Sequence, residues 1–149
     1  MNKENEKKIH DMLYDKSNEE VLKEIDNIED SEFLYVYAFN YNWNNGFDIP
    51  AKIISKKSCD LSTALMIFYK ADGIRYLMEK NNGEKNSDYW LKFIKSLYEE
   101  IISHKFQQTM IKFEPPLSKV QLYKLKKILN INENIFIQKF GVQDLDIFL

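Results

Sequence analysis

The chain has 149 residues, 44% hydrophobic and 30% charged, with four glycines, three prolines and a formal net charge of −2. That balance excludes a disordered, collagenous or low-complexity polymer, and it lacks the basic excess of a dedicated nucleic-acid binder, so no direct nucleic-acid contact is expected. A lone cysteine (Cys59), a polar start without an apolar leader, and no apolar run near the ~20 residues of a bilayer span predict a reducing, cytoplasmic setting with no membrane partner.

Ile9, Met12 and Leu13 recur at helical spacing within 4–14, and Asp15-Lys16-Ser17-Asn18 then interrupts the pattern, which predicts a short first helix. Ser17 followed by Glu20 has the spacing of a capping box. Val21, Leu22, Ile25 and Ile28 supply the apolar stripe of a second helix behind it. Asp30 or Ser31 can cap a third helix reaching about Tyr41, with Phe33, Leu34, Tyr37, Ala38 and Tyr41 on one side. The short aromatic run 34–39 also admits a strand.

Asn44-Asn45-Gly46 carries turn chemistry and is expected to close that helix, since Gly46 enters positive φ cheaply. Pro50 suits a helix's first turn, so 51–55 should be helical with Ile53 and Ile54 buried. Asp60 or Ser62 can cap the next helix, whose residues Leu61 and 64–69 are apolar almost all round, the mark of a helix enclosed by neighbours. Ala71-Asp72-Gly73 breaks it, and 74–78 adds another turn or two before Asn81-Asn82-Gly83. With Ser87 as its expected cap, the longest amphipathic stretch follows, in which Trp90, Phe93, Ile94, Leu97 and Ile101 repeat at three and four residues. Glu114-Pro115-Pro116 forces an extended connection, after which 117–129 returns to helical spacing through Val120, Tyr123, Leu125 and Ile128. Ile135-Phe136-Ile137 reads equally as a strand or the buried side of a short helix. The sum is an all-α, mainly helical fold: one compact domain over 1–149, a bundle of about six to eight helices around a central apolar helix.

Neither His10 nor His104 has Cys, His or acidic partners at metal-ligand spacing within its helix, so no metal site is expected. No His-Glu-x-x-His, Gly-x-Ser-x-Gly or phosphate-cradling glycine loop exists, and neither a cofactor nor a catalytic set is expected. Cys59 with His104 and Asp60 or Asp72 could in principle meet as a triad, against the plainer use of Cys59 as a small buried hydrophobe. Charge is polarised along the chain. Asp15, Glu19, Glu20, Glu24, Asp26, Glu29, Asp30 and Glu32 are opposed only by Lys16 and Lys23, whereas Lys119, Lys124, Lys126, Lys127 and Lys139 make a later segment basic. The plain reading is two solvated helix faces; the functional one is that Glu19, Glu20, Glu24, Asp26, Glu29, Asp30 and Glu32 attract a basic protein partner.

Tyr41-Asn42-Trp43, Gly46-Phe47, Pro50, Cys59-Asp60-Leu61, Thr63-Ala64-Leu65, Phe68 and Ala71-Asp72 fall in an order and spacing that resembles the bacterial family catalogued as domain of unknown function 4274. The resemblance covers 39–77. It implies a small helical bacterial protein and no assigned reaction, and it singles out Asn42, Trp43, Gly46, Asp48, Asp60 and Asp72. Trp43 and Phe47 should pin the loop to the core, Asp60 should accept N–H groups at the central helix, and Asp72 should pair with Arg75 or bond the loop. As polar residues of a loop, Asn42, Asn44, Asn45 and Asp48 keep a ligand role open. The family pattern often has acids where Asn44 and Asn45 stand and glycine where Ser62 stands, so any metal or proton-transfer role of those acids would be missing here. By analogy, small acidic helical bacterial proteins of this kind are often immunity proteins, which bind and neutralise a toxin domain such as a nuclease. An adaptor or structural role, and a small-molecule enzyme using the 41–48 loop and Asp72, are the alternatives.

Overall fold

Side-chain oxygens one residue ahead of each apolar stripe decide where most helices begin. In the computed structural model, which describes residues 1–80 and 88–149, Asn2 caps α1 (Lys3–Tyr14), Ser17 caps α2 (Asn18–Ile25), Asp30 caps α3 (Ser31–Asn40) and Asp60 caps α5 (Leu61–Lys70). Asp88 does the same for α7 (Tyr89–Ile102) and Ser118 for α8 (Lys119–Ile128). Each accepts a backbone N–H that has no partner inside its own helix. Between them lie a 3₁₀ turn (Trp43–Asn45), α4 (Asp48–Ser55) with Pro50 in its first turn, α6 (Gly73–Glu79), and a final 3₁₀ stretch (Ile131–Ile137). The expected turn at Asn81-Asn82-Gly83 and the expected cap Ser87 lie outside the described residues.

The middle of the chain builds the centre. Every residue from Leu61 to Tyr69 in α5 is buried, and α3, α6 and α7 pack against this helix. α3 is itself buried from Phe33 to Ala38, with α1 and α4 against it, which is why its apolar residues surround the helix instead of forming the one-sided stripe expected. Helical hydrogen bonding prevails over the strand alternative for 34–39. The buried side chains form one cluster from Ile9 to Leu145.

Several expectations need correction. Ser17 does accept from the Glu20 N–H at 3.2 Å, but the Glu20 carboxylate takes the Ser17 hydroxyl at 3.1 Å instead of completing the box. α3 ends at Asn40, before the Asn-Asn-Gly turn, and Gly46 (φ +89°) closes the 3₁₀ turn instead. In α8 only Leu125 is buried; Val120, Tyr123 and Ile128 face solvent, because this helix lies at the edge of the bundle and touches it by a single row.

The open reading of the tail resolves as neither simple choice. Ile135-Phe136-Ile137 ends the 3₁₀ stretch with Phe136 fully buried, and the chain then turns back to make two isolated bridges, Phe113 with Phe140 and Ile111 with Gln143. Gly141 makes that return possible. It sits at φ +63°, and a Cβ there would stand 2.1 Å from the Ile111 carbonyl oxygen. Beyond it the last residues cross α1 and α3: Leu149 N–H donates to Asn40 Oδ1, Asn40 Nδ2 donates to Ile147 O, and the Tyr14 hydroxyl donates to Leu149 O. No helix among the described residues is long and apolar enough to cross a membrane.

Candidate functional site

Of the singled-out loop residues, Asn42 and Gly46 spend polar groups on the fold, whereas Trp43 Nε1 is buried without a hydrogen-bond partner among the described residues. Asn42 Oδ1 accepts from the Asn44 N–H at 3.0 Å and caps the 3₁₀ turn. Trp43 lies edge-on to Tyr41 and to Phe93 of α7, and Phe47 stacks on Phe93 with ring centres 5.0 Å apart, so both aromatics hold the loop against α7 as expected. The Gly46 carbonyl accepts the Tyr41 hydroxyl at 2.8 Å; burial, helped by the Asp48 charge, pushes the Tyr41 pKa up to about 12 and keeps that hydroxyl a donor. Asp48 is exposed in the first turn of α4.

Asp60 is buried with both oxygens engaged. One accepts the Thr63 N–H at 2.8 Å and the other the Thr109 hydroxyl at 2.5 Å, which ties the start of α5 to the extended segment beyond α7. Ser62, fully buried, adds a second tie by donating to Ile111 O at 2.7 Å. Asp72 stands at the other end of α5 with φ +64°, exposed, its carbonyl accepting the Arg75 N–H. A ten-residue helix is about 15 Å long, so Asp60 and Asp72 do not meet. The Arg75 guanidinium reaches Glu79 at 3.3 Å and lies over the Trp90 ring.

Cys59 is buried beside this cap, and its thiol pKa is pushed well up by burial first and by Asp60 second, so the nucleophilic thiolate is suppressed. We expect negligible reaction of Cys59 with a thiol reagent in the folded protein and rapid stoichiometric reaction once urea unfolds it. Fast labelling of the native protein would contradict this.

Helices α2 and α3 and the turn between them carry the acidic residues, and here the fold adds something the linear charge count omits. Lysines from α4 and its end come across: Lys52 pairs with Asp26 at 2.5 Å and Lys56 with Glu29 at 3.3 Å. Lys16 is bonded to Glu24, and Asp30 Oδ1 caps α3. Glu19 and Glu20 remain exposed, Glu19 touching only Lys23 at 3.9 Å, and the half-buried Glu32 carboxylate has no partner among the described residues. The unpaired acidic charge of this segment is therefore smaller than the sequence suggests, left mainly to Glu19, Glu20 and Glu32.

His10 also departs from the sequence reading. One ligand atom each from His10, Asp11 and Asp15 lies within 4.8 Å of the others, because α1 turns the i, i+1 and i+5 positions toward one edge as it ends. His10 and Asp15 are exposed and His10 leans on the Tyr14 ring, an arrangement common on solvated helix surfaces.

Sequence reasoning missed a cavity beside the chain's end. It measures 260 Å³ and opens where α3, α5, the extended residues 112–116 and the tail meet, with Tyr35, Phe39, Tyr69 and Phe113 as aromatic walls. None of the acidic residues of α2 lines it. No periodic signal could have disclosed it, since its sides come from four separated segments. A second, more open groove runs between α4 and α7 over Phe47, Ile54, Phe93 and Leu97.

A family model described as Domain of unknown function (DUF4274) matches residues 29–102, wider on both sides than the 39–77 of the motif. No curated protein and no solved structure gives a match.

Proposed function

We propose, with the DUF4274 family model matching residues 29–102 as the premise, that the chain is a non-catalytic binding protein of the immunity type, acting in the cytoplasm by holding a basic toxin domain against its acidic segment. The observation that carries this reading is that Glu20 and Glu32 have no ion pair among the described residues and Glu19 only a distant one with Lys23, whereas Glu24, Asp26 and Glu29 of the same acidic segment are paired. Complementary charge of this kind speeds encounter and disfavours wrong partners. The family loop supports binding over chemistry, because Asn42, Gly46 and Asp60 serve caps and turns. The open apolar groove between α4 and α7 favours a second reading, an adaptor that docks a partner through the family segment.

The test is co-expression with the polypeptide encoded next to this gene, scored by growth rescue and co-purification. With a verified complex in hand, the charge reversal Glu19→Lys, Glu20→Lys, Glu32→Lys should weaken binding roughly tenfold or more and flatten its salt dependence. Glu24 is left intact because reversing it would set it against Lys16. Unchanged affinity and unchanged salt dependence would exclude this face; loss through Asp48→Lys and Phe93→Ala alone would establish the α4–α7 groove instead.

A further inference from the structure

The cavity between α3, α5 and the tail has walls and charges that do not satisfy one another. Its two hydroxyls are committed: Tyr35 donates to Asp146 at 2.5 Å and Tyr69 donates to Phe136 O at 2.6 Å. Lys112 faces Glu114 at 3.6 Å. Lys70 is different, for its ammonium lies over the Phe39 ring, 4.5 Å from the centroid, and has no ion pair or hydrogen bond among the described residues. Partial burial against the cavity wall lowers its pKa although the Asp146 charge pulls the other way. On the tail side Asp144, which lines the cavity, accepts the Asp146 N–H with one oxygen and has no ion pair among the described residues.

We infer that this cavity binds a small zwitterion with an aromatic body, of the free aromatic amino-acid class, its carboxylate on Lys70, its ammonium on Asp144 and its ring against the aromatic wall formed by Tyr69 and Phe113. The charge balance selects this class. Lys70 calls for an anion, but Asp144, Asp146 and Glu114 outnumber the two lysines, so a plain anion meets net repulsion and a dianion more. An aromatic amine would satisfy Asp144 and leave Lys70 uncompensated. At 260 Å³ the space is a little under the range of about 300–1,000 Å³ typical of drug-sized ligands, which suits a single small metabolite. Tyr69 and Phe113, their rings stacked with centres 6.0 Å apart, give the ligand ring an aromatic surface.

L-Phenylalanine, phenylacetate and phenethylamine, titrated separately into the full chain and followed by calorimetry and by protein-observed NMR shifts, test the assignment. Phenylalanine should bind, with shifts at Lys70, Phe113 and Asp144, and each half-ligand should bind at least about tenfold more weakly, as expected for loss of one charged contact. Lys70→Met and Asp144→Asn, both at exposed positions where folding is expected to survive, should each weaken phenylalanine by a similar factor; Lys70→Met should leave phenethylamine unaffected. Absence of phenylalanine binding at millimolar concentration, equal affinity for phenylacetate, or binding indifferent to both substitutions would each overturn it. The growth-rescue and co-purification readouts are independent of these titrations.

Discussion

Glu133→Ala should destabilise the protein by about 3–5 kcal/mol, the range seen when one partner of a buried ion pair is removed. Glu133 is 1% exposed at the start of the last 3₁₀ stretch. Its Oε2 accepts the Tyr98 hydroxyl at 2.6 Å and lies 3.1 Å from Lys80 Nζ, while Oε1 accepts the Asn130 N–H at 3.1 Å. Alanine would strand the Lys80 ammonium, whose side chain is 14% exposed, and leave the Tyr98 hydroxyl without an acceptor. Glu133→Gln keeps the acceptor and loses only the charge, so a smaller cost of roughly 1.5–3 kcal/mol is expected. The pH dependence has a definite sign. Burial pushes the Glu133 pKa up, but Tyr98, Asn130 and Lys80 together outweigh it and hold the carboxyl below its ordinary 4.5. A depressed folded pKa gives stability that is complete above 4.5 and is lost as pH falls through the folded value. Urea unfolding at pH 7 and at successively lower pH should therefore show the gap between wild type and Glu133→Gln narrowing below 4.5; a gap that is constant or widens in acid would refute the pairing.

Phe68→Ala should cost a comparable amount, about 3–5 kcal/mol, because the ring is fully buried and its removal leaves a cavity that the surrounding helices fill only in part. Phe68 packs on Phe136 with ring centres 4.8 Å apart and on Tyr69 at 5.6 Å, so it joins the family segment to the last 3₁₀ stretch. It also lies against Gly73, where a Cβ would stand 2.3 Å from the Phe68 ring. Against a typical stability of about 5–15 kcal/mol, either substitution removes a large share. Phe68→Ala and Phe136→Ala combined should cost less than their sum, since each ring loses the same neighbour. Tryptophan fluorescence and circular dichroism should report one coincident transition for both single variants. Two separated transitions would show that residues beyond α7 unfold independently.

Local chemistry explains what the sequence made legible. Ser17, Asp30 and Asp60 each place a short acceptor just ahead of an apolar stripe, and a helix start follows wherever that juxtaposition occurs. The enclosed α5 was readable because Leu61 and residues 64–69 offer no polar face to water. The motif loop was readable in the same way, through a glycine needing positive φ and two aromatics with no other place to go. What stayed hidden depends on long-range return of the chain. Asp60 looked like a cap, and nothing in its surroundings announced Thr109 as its second partner. The neutralisation of Asp26 and Glu29 by Lys52 and Lys56 depends on α2 packing against α4, a relation that no spacing encodes. α8 misled for the converse reason, since its stripe of Val120, Tyr123 and Ile128 has helical periodicity but no neighbour to bury it.

Asp60 and Ser62 reach out of the matched segment to Thr109 and Ile111, and this bears on how the protein can be inherited in parts. A crossover that exchanged 29–102 between relatives would deliver a buried carboxylate and a buried hydroxyl into a host whose counterparts need not be at hand. Chimaeras that keep 29–102 together with 103–149 from one parent should express as soluble protein, whereas those joined at 102 should need compensating changes near 109–111. The stretch that is recognisable by descent is thus smaller than the stretch that must travel together.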